Sequence, residues 1–227
     1  MFAAKNLLLA RPSLPSGPPV AFDAKCIAAY NGNAAGSPVS LTHAATVGSC
    51  LVVDLFSWSG LPTVVFGSTP VPQVNDFSMS ITYAGTAETV HYTRYILNGV
   101  PSGVPAPQIT ISGAASQLIA VSASYLNVGS VGATTVGSSM GYGASTPGVV
   151  LSPGQMCVNG FMSSTVATAA AYVSSATGGT NRFVANNNSY LDGLTLSDTA
   201  VNSTIFTVAL TANGYDIIAY KNTILKP

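Results

Sequence analysis

Phe77-Ser78-Met79-Ser80-Ile81-Thr82-Tyr83 alternates apolar and hydroxyl side chains without a break. Successive side chains of a β-strand point to opposite faces, so this rhythm predicts a strand with one buried and one wet face. The same period recurs in Val39-Ser40-Leu41-Thr42, Ile109-Thr110-Ile111-Ser112 and Leu194-Thr195-Leu196-Ser197. Residues 50–56 form a more continuous apolar run, which suits a central strand. Longer candidates rich in Val, Ile, Tyr and Thr occupy 87–97 and 118–126. Further strands are expected near 156–163, 170–174, 182–185, 205–210 and 215–220. Residues 167–171 have some helical propensity, but Val166, Thr168 and Val173 weaken it.

Turn chemistry points the same way. Asn31-Gly32, Asn98-Gly99, Asn159-Gly160, Asn213-Gly214 and Asp192-Gly193 are pairs that accept the positive φ angles of tight hairpins. Asn159-Gly160 lies inside an apolar run, where a bulge is the alternative to a turn. Many short strands separated by such turns, with no helical stretch between them, predict an all-β antiparallel β-sandwich of jelly-roll type. Gly48-Ser49-Cys50-Leu51-Val52 and Gly154-Gln155-Met156-Cys157-Val158 each set a glycine shortly before an apolar strand. The two halves of one jelly roll echo each other in this way, so residues 20–227 are expected to form a single domain. The Gly/Ser-rich stretch 127–148 would connect those halves as a long surface loop or ribbon.

Composition excludes several functions. Charged residues make up 6% of the 227-residue chain, seven basic against seven acidic, while 48% of residues are hydrophobic. Nucleic-acid binding needs clustered Lys and Arg, which are missing. Intrinsic disorder is disfavoured by the apolar content. No apolar run approaches the roughly 20 residues of a membrane-spanning helix, so no membrane insertion is expected. The three cysteines, Cys26, Cys50 and Cys157, have no metal-type spacing, and Cys50 and Cys157 sit in apolar runs. They read as buried free thiols of a protein folded in a reducing cytosol.

The first residues form a separate unit. Lys5 and Leu7-Leu8-Leu9 faintly echo a secretory signal, but the apolar region is short and Arg11-Pro12 occupies the expected cleavage region. Pro12, Pro15, Pro18 and Pro19 then favour an extended polyproline-like arm over residues 1–19. A leucine-rich tip on a stiff spacer makes a clamp, with Leu7, Leu8, Leu9, Arg11 and Leu14 as its partner-binding residues.

Candidate chemistry is sparse. Gly137-Ser138-Ser139-Met140-Gly141 matches the G-x-S-x-G elbow of serine hydrolases, but the following Tyr142-Gly143-Ala144-Ser145-Thr146-Pro147 is unsuited to the required helix. His43 and His91 lie among threonines in alternating strands and read as half-exposed sheet positions ahead of metal ligands. Asn186 to Asp192 together with Asp198 offers oxygen ligands, yet in no calcium-loop spacing. Trp58 follows the central strand and has two readings: a sugar-stacking platform, or a ring folded back over the sheet edge. No catalytic, metal-binding or cofactor-binding residue is assigned, and no cofactor is expected.

An ordered series of segments carries a family resemblance. It starts with Val20-Ala21-Phe22-Asp23-Ala24, Ser40-Leu41-Thr42-His43 and Leu51-Val52-Val53. It continues through Ile81-Thr82-Tyr83-Ala84-Gly85, Val121-Ser122-Ala123-Ser124-Tyr125-Leu126-Asn127-Val128 and Ser152-Pro153-Gly154-Gln155-Met156. Gly178-Gly179-Thr180-Asn181-Arg182 and Leu194-Thr195-Leu196-Ser197-Asp198 complete it. Over roughly residues 20–220 this series resembles small β-sandwich virion proteins of actinobacterial tailed phages, mycobacteriophages in particular, usually labelled minor tail proteins. The resemblance implies a non-enzymatic structural component of a virion, made in the bacterial host cytoplasm. Its expected partners are other tail or capsid subunits and copies of itself, with a trimer as the first expectation. The arm would dock on a neighbour. A capsid decoration or cement protein is the alternative, and a carbohydrate-binding module contacting the host cell-wall glycan is the second alternative.

Overall fold

The computed structural model describes residues 17–34, 36–83, 86–104, 108–114, 116–141, 143–165, 173–187, 192–210 and 216–227. They contain strands, turns and loops but no helix. The first half of the chain carries β1 (Ala21–Lys25), β2 (Tyr30–Asn33), β3 (Val39–Thr42), β4 (Cys50–Trp58), β5 (Thr63–Phe66), β6 (Thr69–Pro70), β7 (Gln73–Tyr83), β8 (Thr86–Asn98), β9 (Gln108–Ser112) and β10 (Gln117–Leu126). The second half carries β11 (Ser130–Met140), β12 (Gly143–Ser145), β13 (Met156–Thr165), β14 (Val173–Thr177), β15 (Thr180–Asn187), β16 (Asp192–Thr199), β17 (Thr207–Leu210) and β18 (Asp216–Lys226).

Every strand pairing is antiparallel, and the sheets divide by chain half. The first half builds a large sheet in the order β1-β10-β4-β8-β7, with β2 also pairing β10, and a small sheet β3-β9-β5-β6. The second half builds a large sheet β11-β18-β13-β16-β15 and a small sheet β12-β17-β14. The two orders are the same order. β1 matches β11, β10 matches β18, β4 matches β13, β8 matches β16 and β7 matches β15, while β3-β9-β5 matches β12-β17-β14. The echo at Gly48 and Gly154 therefore opens two equivalent central strands. A single jelly roll over residues 20–227 would mix strands of both halves within a sheet; here each half keeps its own.

The alternation of side chains along the central strands explains the stacking. Cys50, Val52 and Phe56 of β4 enter one core, whereas Leu51, Val53 and Leu55 enter another. The first core also takes Val90, Tyr92 and Ile96 of β8, Val121 and Tyr125 of β10, Val158 and Met162 of β13, and Leu194 and Leu196 of β16. It lies between the two large sheets and joins the halves. On the far side of the first large sheet, Leu51, Val53 and Leu55 meet Leu41, Val64, Phe66, Ile109 and Ile111 of the small sheet. On the far side of the second, Cys157, Phe161 and Ile218 meet Phe206 and Val208. β4 is covered on both faces, which is why residues 50–56 read as a nearly continuous apolar run, while β16, equally buried, keeps its alternating hydroxyls.

Several sequence expectations change at this level. Residues 127–148 are no loose connector: β11 is the edge of the second large sheet and β12 the edge of its small sheet. Asn31-Gly32 and Asp192-Gly193 sit inside β2 and β16, and Asn159-Gly160 is neither turn nor bulge, because β13 keeps register through it against both β16 and β18. Asn98-Gly99 does end β8, with Gly99 at φ 91°. Asn213-Gly214, residues 167–171 and residues 1–16 of the expected arm lie outside the described residues.

Candidate functional site

The chemistry-bearing side chains gather at the seam between the two halves. Asp54 of β4 and Arg94 of β8 stand opposite each other in register, and both are fully buried. Their ion pair is bidentate, Nε to Oδ1 at 2.7 Å and Nη2 to Oδ2 at 2.6 Å. Arg94 also crosses the seam, donating through Nη1 to the Val158 carbonyl at 2.9 Å and the Thr223 hydroxyl at 3.0 Å. The Tyr92 hydroxyl donates to Asp54 Oδ2 at 3.0 Å. From the other half, Lys221 lies over the Tyr92 ring at 4.6 Å and donates to the carbonyls of Tyr92 (2.6 Å) and Asn75 (2.9 Å). Burial pushes the Lys221 ammonium down to about 7, against the pull of the Asp54 carboxylate. Burial also works against the Arg94 charge, but Asp54 more than offsets it and holds the guanidinium ionised.

A reciprocal cluster sits elsewhere along the seam. Asp198 of β16 takes a bidentate pair from Arg182 of β15, at 2.6 and 2.9 Å, and accepts the Tyr125 hydroxyl of the first half at 3.0 Å. Arg182 stacks 3.6 Å over the Phe22 ring, and Lys25 of β1 reaches across to the Arg182 carbonyl at 3.0 Å. Each half thus supplies one Asp–Arg pair and lends the other half a lysine.

Gly160 makes the first cluster possible. A methyl group there would overlap the Tyr92 hydroxyl and Asp54 Oδ2 and lie 3.0 Å from Arg94 Nη2. Periodicity does not reveal this requirement, because it comes from strands of the other half.

The residues singled out by sequence reading are distributed as follows. Trp58 is the last residue of β4 and only 4% exposed, with its indole N–H on Asp192 Oδ2 at 2.7 Å. A ring held in the seam core presents no face to a sugar, so the stacking reading is corrected to the folded-back one. Asp192 and Asp198, proposed oxygen ligands, are occupied by Trp58 and by Arg182 with Tyr125. No group of three or more His, Cys, Asp or Glu side chains suited to a metal ion occurs among the described residues.

His43 is fully buried, contrary to the half-exposed expectation. Its ring nitrogens meet Ser122 Oγ at 2.7 Å and Ser124 Oγ at 3.0 Å, and Ser124 donates onward to Asp23 at 2.7 Å. Burial drives the imidazole down to about 4, so it is neutral at physiological pH. His91 is partly buried on β8 and pairs with Asp76 at 3.0 Å. Ser139 of the G-x-S-x-G match lies within β11, opposite Ile218, so no strand-to-helix elbow forms around it. The cysteines are free and buried, and burial pushes the thiols of Cys50 and Cys157 up to about 12. Leu7, Leu8, Leu9, Arg11 and Leu14 lie outside the described residues.

The surface carries a different feature. A groove of about 310 Å³ on the second half is lined by Ala133 of β11, Pro147, Val149 and Val150 of the loop before β13, and Tyr220 and Ile224 of β18. Around it Val150 is 77% exposed, with Val201 and Ile205 exposed on the adjoining loop. The sequence holds no charged residue between Arg94 and Arg182, so most of this rim is electrically silent. Searches against family models, curated proteins and solved structures find no match to this chain.

Proposed function

We propose that this protein is a non-enzymatic structural subunit of a tailed-phage virion, a minor tail protein in the first instance, that works by fitting against neighbouring subunits. One observation carries the reading: both Asp–Arg pairs turn inward at the seam, while the apolar groove is bordered by a surface almost devoid of charge. An uncharged exterior promotes association, which a free-standing domain avoids and an assembly subunit uses. Hydroxyl-rich antiparallel sheets with buried thiols also suit a particle that must persist outside the cell.

Within this reading each half is a small jelly roll. Lettering the first half's β1, β3, β4, β5, β7, β8, β9 and β10 as A to H gives A-H-C-F-E and B-G-D, the jelly-roll order with strand E moved to the end of the larger sheet. Fold alone does not assign a role, since sandwiches host many. The carbohydrate-binding alternative loses its motivating residue with Trp58 in the core.

Quantitative mass spectrometry of purified particles tests the proposal. A handful of copies per virion, lost when tails are removed, supports a tail position. Hundreds of copies that stay with the head favour the capsid-decoration alternative. Absence from particles overturns both.

A further inference from the structure

We propose that the groove between β11, β18 and the loop before β13 receives the leucine-rich N-terminal segment of a second copy of this chain; the inference builds on the reading of the protein as an assembly subunit. The groove is mostly apolar, with Thr135 and Asn222 as its polar lining side chains besides the Tyr220 hydroxyl, and none of its lining residues carries a formal charge. A complementary occupant is a short apolar segment, and Leu7-Leu8-Leu9 is the leucine triplet of the sequence.

Placement argues for exchange between copies. The described chain starts at Gly17, and Val20 is fixed by its N–H to the Gly154 carbonyl at 2.9 Å, while Asn127 holds the Pro19 carbonyl at 3.0 Å. Gly154 is four residues from Val150 on the groove rim, which bounds that distance at about 14 Å, and Val20 lies about 5 Å farther off across its hydrogen bond. Four prolines between Arg11 and Pro19 favour an extended spacer of about 25 Å, and the leucines lie beyond it. A stiff spacer longer than the distance to its own groove directs the tip away from it and onto a neighbour. Sixteen residues outside the described chain are ample for that reach.

The test uses the full chain in three forms: wild type, Leu7→Ser/Leu8→Ser/Leu9→Ser, and Ala133→Arg at the exposed groove wall. Sedimentation equilibrium reads the mass, and Trp58 emission confirms that each form is folded. The wild type is expected to self-associate, each variant to shift to the monomer mass, and their mixture to regain a complex, since one supplies arms and the other grooves. A monomeric wild type, a variant that still associates like the wild type, or a mixture that stays monomeric overturns the inference. Copy number on particles is read separately, so a failed groove and a failed virion assignment are told apart.

Discussion

Replacing Gly160 by alanine tests the seam directly. In a strand interior the change should help, because glycine is worse than alanine there by about 0.5–1 kcal/mol. The new methyl group, however, enters the space of the Tyr92 hydroxyl and the Asp54 carboxylate and lies 3.0 Å from Arg94. None of these groups has room to retreat, since Asp54, Arg94 and Tyr92 are all 0% exposed and tied to one another. Overpacking of this kind costs about 1–3 kcal/mol, and separating a buried ion pair about 3–5 kcal/mol. The two costs are alternatives, since the strain is relieved by moving the pair apart; taking the ion-pair cost less the strand preference, Gly160→Ala should lose about 2–4 kcal/mol, a large share of the 5–15 kcal/mol typical of a folded domain. Urea titration followed by emission of the single tryptophan, Trp58, reads the loss at the seam itself. The midpoint should fall with little change in slope. Removing the Tyr92 hydroxyl in the same chain should return part of the loss. An alanine variant within about 0.5 kcal/mol of wild type, or more stable, would refute the reasoning.

Three further outcomes are expected. Lys221 has its charged form disfavoured in the folded state, from 10.5 down to about 7, so stability should fall as pH drops from about 10.5 toward 7 and level off below; the full effect is of order 5 kcal/mol, and urea midpoints of Lys221→Met should lack that slope. Asp54→Asn leaves Arg94 as a buried charge without its carboxylate and should cost about 3–5 kcal/mol in chemical denaturation, whereas Asp54→Leu combined with Arg94→Met should recover most of it. His43 is held neutral with its value near 4, so acid should destabilise the protein progressively from about pH 6.5 down to 4; His43→Gln should flatten that stretch of a Tm-against-pH curve, and an unchanged curve would contradict the buried assignment.

Strand positions were legible because alternation is local. Residues 77–83 fall in β7, 50–56 in β4, 118–126 in β10 and 194–197 in β16, but the wet face expected of 194–197 is absent, because Thr195 and Ser197 are buried as well. What the pattern hid depends on partners far along the chain. Asn159-Gly160 has the composition of a turn, yet Gly160 is a strand residue whose missing side chain makes room for Asp54 and Tyr92. Asp192-Gly193 misleads similarly, because Trp58 rather than a turn uses the carboxylate. Residues 127–148 look like linker because β11 is an edge strand with many small residues, and the Tyr220 ring packs directly over Gly137. His43 read as half exposed since Ser122 and Ser124, which hold it, sit some 80 positions away. The matching strand orders of the halves leave only the faint glycine echo at positions 48 and 154.

That matching order has a consequence for how such a chain can arise. A half-length polypeptide with one large sheet would leave an apolar face that another copy of itself could cover, whereas the two acid–arginine pairs sit on strands that do not match, β4 and β8 in one half and β15 and β16 in the other. Within one chain each side of that shared face is free to carry its own polar groups, as Trp58 on one side and Asp192 on the other do.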